Sequence, residues 1–367
     1  MATYDSNLVH WIWLSQINGI GPITSKVLLN IFKTPQNIYK ATKSELVDIH
    51  GIGNATANII YNSRSLDKAE KILSNCEKLN IKVLTYVDSL YPLEVKHIKK
   101  APVILYYRGM LIEDSLGVAI AGSRRCTEYG KRLAVEAAEF LAHNSIPVIS
   151  GMAKGVDGYA HTACLKMGGY TLAILGSGLD ICYPKEHIEL MKRIIEKGAI
   201  ISEYPPGTKP NVNHFPIRNR LISAWCKKLL VVEAGEKSGA LLTAAFAKEQ
   251  NRQVFAAPNS IYSIESIGTN KLIQEGAKIY LTPSQLLLDG TNMASVTNIE
   301  GNRVQEGDDL SSLEKIILAK IKDKPMTIDE LFLILQGDKS DILETISIME
   351  LKGKISNVGG MCKLTLM

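Results

Sequence analysis

Between residues 65 and 290 the chain repeats one pattern, a short β-favouring apolar run followed by an amphipathic stretch. The runs are KVLTYV, VILYY, GVAIAG, IPVIS, TLAIL, AIISEY, LLVVEA, QVFAAP and KIYLT. Helical patterns such as EYGKRLAVEAAEFLAHN and KEHIELMKRIIEKG separate most of them. A strand that faces water on one side alternates apolar and polar residues; these runs are almost continuously apolar, so both faces are covered. With helices between them, they predict a doubly wound α/β fold on a mainly parallel sheet. Such a sheet binds its ligands outside the carboxyl ends of the strands, where strand order reverses. The search for chemistry therefore narrows to the turns that follow the strands.

The flanks read differently. Residues 1–64 are helical, and INGIGPITSKVLLNIF and LVDIHGIGNATANII each place a Gly-Ile-Gly turn before an amphipathic helix. Both stretches resemble the helix-hairpin-helix element, in which glycines let the backbone approach a phosphate at a helix N-terminus. Packing units with glycine caps read the same way, and the residues leave both readings open. Residues 291–310, within GTNMASVTNIEGNRVQEGDDL, are polar and aperiodic, a linker. Residues 311–367 give three helical patterns and a closing hairpin at Gly359-Gly360, which suggests a winged-helix-like domain. Its apolar stretches LFLIL and ISIMEL also suit a protein-docking module.

The composition excludes several classes. No run of about 20 apolar residues is present, so no membrane span is expected. The start, MATYDSNLVHWIWLSQ, lacks a basic segment and a long apolar run, so no signal peptide is expected. Six scattered cysteines with no C-x-x-C pair point to reduced thiols in a cytoplasm, and against a disulfide scaffold or zinc site. A net charge of +5 permits a polyanion partner without requiring one.

Five strand-end turns carry the candidate chemistry. In GSRRCTEYG, the turn Gly122, Ser123, Arg124 and Arg125 precedes a helix, whose N–H groups and dipole favour an anion. Arginine adds bidentate phosphate geometry. SGMAKGVDGYAH offers Gly151 and Gly155 for close backbone approach and Lys154 for charge; Asp157 and His161, one helical turn apart, are a structural or orienting pair. LGSGLDICYP is a further glycine-rich turn. In SEYPPGTKPNVNHFPIRNRLIS, Pro216 suits a first helical turn and places Arg218, Asn219 and Arg220 at the mouth of the sheet, with Leu221, Ile222 and Trp225 as the anchoring stripe. VVEAGEKSGALLTAAFA ends in an anion turn of Lys237, Ser238 and Gly239. Each alone reads equally as a plain turn; together they describe an elongated basic rim. GEKSG is not a P-loop, because Glu236 stands where the second glycine is needed, so no ATPase is expected. No nucleophile stands in register with a base, and neither cofactor nor metal is expected.

Read in order, YPLEVKHIKKAPVILYYRG, AGSRR, SGMAKGVDGYAH, LGSGLDICYP, SEYPPGTKPNVNHFPIRNRLIS, VVEAGEKSGALLTAAFA and SIGTNKLIQEGA resemble the DNA-processing protein A family (DprA, also called Smf) over about residues 90–282. One departure is APNSIYS, where Asn259 replaces the family's usual glycine; Asn tolerates positive φ, so the turn is expected to survive. The resemblance implies a Rossmann-like domain that forms homodimers. It also implies binding of single-stranded DNA entering the cell in natural transformation, its protection, and loading of the RecA recombinase, with no enzymatic activity. It implies DNA contacts at Gly122, Ser123, Arg124, Arg125, Gly151, Lys154, Gly155, Arg218, Asn219, Arg220 and the Lys237, Ser238, Gly239 turn. Phe215 either stacks on a base or staples its own helix. Two other classes compete. The glycine turns also resemble phosphoribohydrolases, but Thr243 falls where their catalytic glutamate would stand. A duplex-binding regulator needs a basic recognition helix, and SDILETISIMEL is acidic and apolar.

Overall fold

The computed structural model describes residues 6–113, 116–288, 312–321, 324–335, 342, 345–346, 349, 355–358 and 361–364. The chain divides into two compact units, Met1–Ala294 and Ser295–Met367. All nine apolar runs become strands of one sheet in the first unit: β1 (Lys82–Thr85), β2 (Ile104–Gly109), β3 (Gly117–Ala121), β4 (Val148–Ser150), β5 (Thr171–Leu175), β6 (Ala199–Ser202), β7 (Cys226–Val231), β8 (Gln253–Ala256) and β9 (Lys278–Ile279). Their order is β1-β2-β6-β5-β4-β3-β7-β8-β9. From β6 to β9 every pairing is parallel, and β1 and β2 add antiparallel at one edge. The fold is thus Rossmann-like and mostly parallel. The order rises from β3 to β6 one way and from β7 to β9 the other, so the switch point lies between β3 and β7. Every residue of β3 and β5 is buried, which is why neither run alternates in the sequence.

The helices are α1 (Ser6–Ser15), α2 (Pro22–Phe32), α3 (Pro35–Lys40), α4 (Lys43–Val47), α5 (Asn54–Asn62), α6 (Asp67–Lys78), α7 (Leu93–His97), α8 (Glu128–His143), α9 (Val156–Lys166), α10 (Ile188–Lys197), α11 (His214–Ala224), α12 (Gly239–Glu249) and α13 (Ile267–Gln274). One sheet face carries Leu105, Leu172, Ala119, Leu229 and Val254 against α7, α11, α12 and α13. The opposite face carries Tyr106, Ala173, Val118, Leu230 and Phe255. There α8 and α9 cover one half, and the N-terminal helices with α10 cover the other.

The N-terminal helices do not keep a core to themselves. Ile12, Leu14, Leu28 and Ile60 share one buried cluster with Tyr106, Leu175 and Ile200 of the sheet. Gly19 and Gly51 take φ of 84° and 89°, and Gly21 and Gly53 cap α2 and α5 without a side-chain bond. Among the described residues no helix is long and apolar enough to cross a membrane.

The second unit contains α14 (Ser312–Ile321), β10 (Met326–Thr327), α15 (Ile328–Leu335), β11 (Ile355–Val358) and β12 (Met361–Leu364), with the three strands ordered β10-β12-β11. The expected hairpin strands pair from Ile355↔Leu364 to Val358↔Met361. The expected linker, the Gly359-Gly360 turn and most of the 340–353 helical pattern lie outside the described residues.

Candidate nucleic-acid interface

At the switch point the carboxyl ends of β3 and β7 open into a groove of about 620 Å³. The turns after β3, β4 and β7 and one face each of α11 and α12 line it. Its cations are Arg124, Arg125, Arg218 and Lys237, and its carboxylates are Asp157, Glu236 and Glu265. Arg124, Arg125 and Lys237 are exposed and make no ion pair among the described residues. Three unneutralised cations on an open rim attract a polyanion.

The helix starts that follow β3 and β7 are not equivalent. The N-terminus of α8 already holds an anion. Glu233, fully buried at the end of β7, accepts from the Thr127 amide at 2.9 Å and from Thr127 Oγ1 at 2.5 Å. A Cβ on Gly130 would come within 2.3 Å of that carboxylate. The helix dipole that the sequence offers to an outside phosphate therefore acts on a side chain of the protein itself. Ser123 is engaged too: its Oγ donates to Glu265 Oε2 at 3.0 Å and accepts from the Arg125 amide at 3.2 Å. What remains outward at this turn is the pair of guanidinium groups. The start of α12 is more open. Ser238 Oγ accepts from the Ala240 amide at 3.3 Å, and Gly239 is exposed, its carbonyl accepting from Asn219 Nδ2 at 3.2 Å.

The β4 turn is built inward. Gly155, with φ 74°, packs so tightly that a Cβ there would lie 2.3 Å from the Ser123 carbonyl. Gly151 has the Arg218 guanidinium in the same role, 2.6 Å from the position of an added Cβ. The close backbone approach expected of both glycines is real, but what approaches is the chain. Asp157 accepts from the amides of Gly151 and Ala153 at 3.2 and 3.3 Å, and Met152 between them takes φ 55°. Lys154 points away from the groove lining and pairs with Glu186.

Arg218 is a floor rather than a finger. It is 5% exposed and donates to the carbonyls of Gly151, at 2.8 Å, and Ile174, tying β4 and β5 to α11. Burial lowers its pKa to about 10 against the opposing pull of Asp157. The same desolvation raises the carboxyl of Asp157, with Arg218 opposing. The expected Asp157–His161 pair does not form. His161 instead bonds Thr171 Oγ1 at 2.6 Å, and burial, with His187 and Arg218 adding to it, drives its pKa down to about 3.

Arg220 is a correction. It does not line the groove; it points from the other side of α11, pairs with Glu203 at 2.6 Å and donates to the carbonyls of Lys100 and Ile217. The stripe Leu221, Ile222 and Trp225 is buried as expected. Phe215 lies in the groove, half-buried, with the Tyr183 ring stacked on it at 5.4 Å. Asn259 keeps its turn without positive φ, through two bonds with the Asn270 side chain. Thr243 is buried in the groove wall. Among the described residues no cluster of three or more His, Cys, Asp or Glu is placed to hold a metal. Tyr183, Val212 and Glu265 line the groove without a role in the turn motifs, and Glu233 lies outside the lining, at the α8 N-terminus. Glu233 had a signal, an acidic residue closing an otherwise apolar strand.

A doubly wound sheet with an open groove at its switch point that carries exposed arginine and lysine side chains defines a Rossmann-like anion-groove protein. Residues 82–290 match the family of DNA recombination-mediator protein A, and the chain belongs to that family, DprA/Smf. Residues 14–63 match a SAM-like helix-hairpin-helix tandem. Protein Smf of Synechocystis sp. is 32% identical over 97% of this chain and 98% of its own. The DNA processing protein DprA of Streptococcus pneumoniae is 35% identical over 73% of this chain and 94% of its own. The solved structure of that pneumococcal protein superimposes with a TM-score of 0.65 at 34% identity, covering 75% of this chain and 94% of that one. The structure of DNA processing protein A from Helicobacter pylori, described for its single-stranded DNA binding mode, gives a TM-score of 0.51 at 30% identity over 56% of this chain and 93% of that one.

Proposed function

We propose that this chain binds single-stranded DNA in the groove between β3 and β7, protects DNA entering the cell in natural transformation, and loads the RecA recombinase onto it. The observation that carries the reading is the open groove with Arg124, Arg125 and Lys237 exposed and, among the described residues, without carboxylate partners. A flexible single strand can follow such a track, whereas a duplex presents its phosphates on a rigid cylinder. The single-stranded DNA binding described for the Helicobacter pylori relative supports the same strand type. The contacts are Arg124, Arg125, Lys237, Ser238, Gly239 and Asn219, with Gly122, Gly151, Gly155, Asp157 and Arg218 shaping the surface beneath them. The protein acts in the cytoplasm as a homodimer. Ile279 at the end of edge strand β9 and Leu281 just beyond it, 44% and 71% exposed, supply apolar surface suited to a second copy. The test is a gel shift of mixed-sequence single-stranded and duplex oligonucleotides over a salt series. Tighter single-strand binding that weakens with salt is expected; equal affinity for both forms refutes the reading.

A further inference from the structure

The groove does not absorb all of the exposed positive charge of the first unit. A second cavity, of about 440 Å³, opens beside the amino end of β8. The end of α7 with its following turn, the Arg220 side of α11 and the end of α12 wall it. It is separate from the groove. α12 starts in the groove at Gly239 and ends in this wall at Glu249, and its 11 residues span about 16 Å. α11 gives Arg218 and Asn219 to the groove and Arg220 to this cavity.

The wall carries several kinds of group. Lys99 and Lys100 are exposed, and with Arg252 they make no ion pair among the described residues. Arg220 is already engaged by Glu203 and by the carbonyls of Lys100 and Ile217. Two carboxylates, Glu94 and Glu249, line the same cavity. Phe246 adds a half-buried ring. Two atoms are buried without a hydrogen-bond partner among the described residues, the donor Arg252 Nε and the acceptor Gln250 Oε1. Both belong to half-buried side chains with several rotatable bonds, so a ligand that offers an anionic oxygen and an N–H can draw them into bonds.

These groups select among anions. A continuous phosphodiester strand fits poorly, because Glu94 and Glu249 repel successive phosphates. A single phosphate on Lys99, Lys100 and Arg252 matches the charge. The remaining groups suit a base attached to that phosphate. Phe246 offers a ring face, and Gln250 and the two carboxylates accept N–H donors, as such side chains do on base edges. The volume lies within the range of small-ligand sites. We infer that this cavity is a second site, for a nucleoside monophosphate, either free or as the 5′-phosphorylated end of a strand. It does not depend on single-strand binding in the groove.

The test uses the full chain in isothermal titration calorimetry with dGMP, whose base carries several N–H donors. Deoxyguanosine and inorganic phosphate should each bind at least about fivefold more weakly, since each lacks one half of the contacts. The Lys99→Ala, Lys100→Ala double variant should lose about tenfold or more in dGMP affinity, and Arg124→Ala should lose none. Phe246→Leu should weaken dGMP and leave inorganic phosphate unchanged, a check that does not involve the lysines. A second arm compares labelled oligonucleotides with a 5′-phosphate or a 5′-hydroxyl by fluorescence anisotropy. A preference for the phosphate that disappears in the double variant assigns the strand end; dGMP binding without that preference assigns the free nucleotide. Absence of both overturns the inference, as does inorganic phosphate that binds as tightly as dGMP. Binding of dGMP that is lost in Arg124→Ala and kept in the double variant overturns it too, and leaves the groove reading standing.

Discussion

Two arginines, Arg124 and Arg220, separate what binds from what holds. Arg124 is exposed, with the Phe215 ring as its neighbour and no carboxylate partner among the described residues. Arg124→Ala should leave the melting temperature near wild type and weaken every single-stranded sequence alike. The slope of log affinity against log salt should flatten by about 0.7, one phosphate's share. Unfolding of the variant would make Arg124 a structural residue. Arg220 is nearly buried, and its partner Glu203 is 17% exposed at the side chain. Arg220→Ala leaves that carboxylate uncompensated and should cost about 3 kcal/mol in urea unfolding, with single-strand affinity per folded molecule unchanged. Wild-type stability together with weakened DNA binding would return Arg220 to the groove. The difference between Arg218 and Arg220 was legible in the sequence through helical period. Residues two apart lie about 200° apart around a helix axis, so both could not face one groove. Which of the two faced it depended on what packed behind α11, and that is set by Glu203 and the Lys100 carbonyl, both distant in sequence.

The elements around the groove are fixed from inside, and this has a consequence for pH. α9 is docked on β5 by His161, whose Nδ1 donates to Thr171 Oγ1, itself a donor to the Val148 carbonyl at 2.7 Å. Burial holds the folded pKa at about 3, below the ordinary histidine value near 6.5. The unfolded chain therefore takes up a proton that the folded chain refuses. Stability from this residue is complete above about pH 6.5 and falls as the pH drops toward 3, by roughly 2 kcal/mol at pH 5. His187 and Arg218 face the imidazole and oppose its charging, while Asp157, raised by burial, acts in the opposite sense. The difference between wild type and His161→Asn isolates the histidine. Urea unfolding at pH 7 and pH 5 should show a smaller loss in the variant, and equal losses in the two proteins would refute the assignment. At this scale the sequence was right about where elements start and silent about what their ends touch. Gly-rich turns signal close approach, but the partner was Ser123 for Gly155 and Arg218 for Gly151. An anion at the α8 N-terminus was equally legible, and the chain provided it as Glu233.

At the scale of the molecule, continuous apolar runs specified a parallel sheet because only strands covered on both faces tolerate them. The groove followed from strand order, since the reversal between β3 and β7 is where the turns diverge. The union of the N-terminal helices with the sheet did not follow. An amphipathic helix announces an apolar face, not the surface that will cover it, and Ile12, Leu14 and Ile60 found theirs on Tyr106 and Ile200. Every groove residue lies within the first compact unit, Met1–Ala294, and the second, Ser295–Met367, has a buried cluster of its own around Ile317, Leu331 and Met349. A chain ending at Asp289 should therefore fold and keep most of its single-strand affinity. The rival is a C-terminal unit that serves as the main DNA binder. Its segment from Ser340 to Leu351 carries Asp341, Glu344 and Glu350 and no Lys or Arg, so it should repel phosphate. Affinities of the full chain, residues 1–289 and residues 305–367 for one single-stranded oligonucleotide decide between them. The groove predicts near-full binding in the second protein and little in the third; the reverse pattern would locate DNA binding outside the sheet altogether.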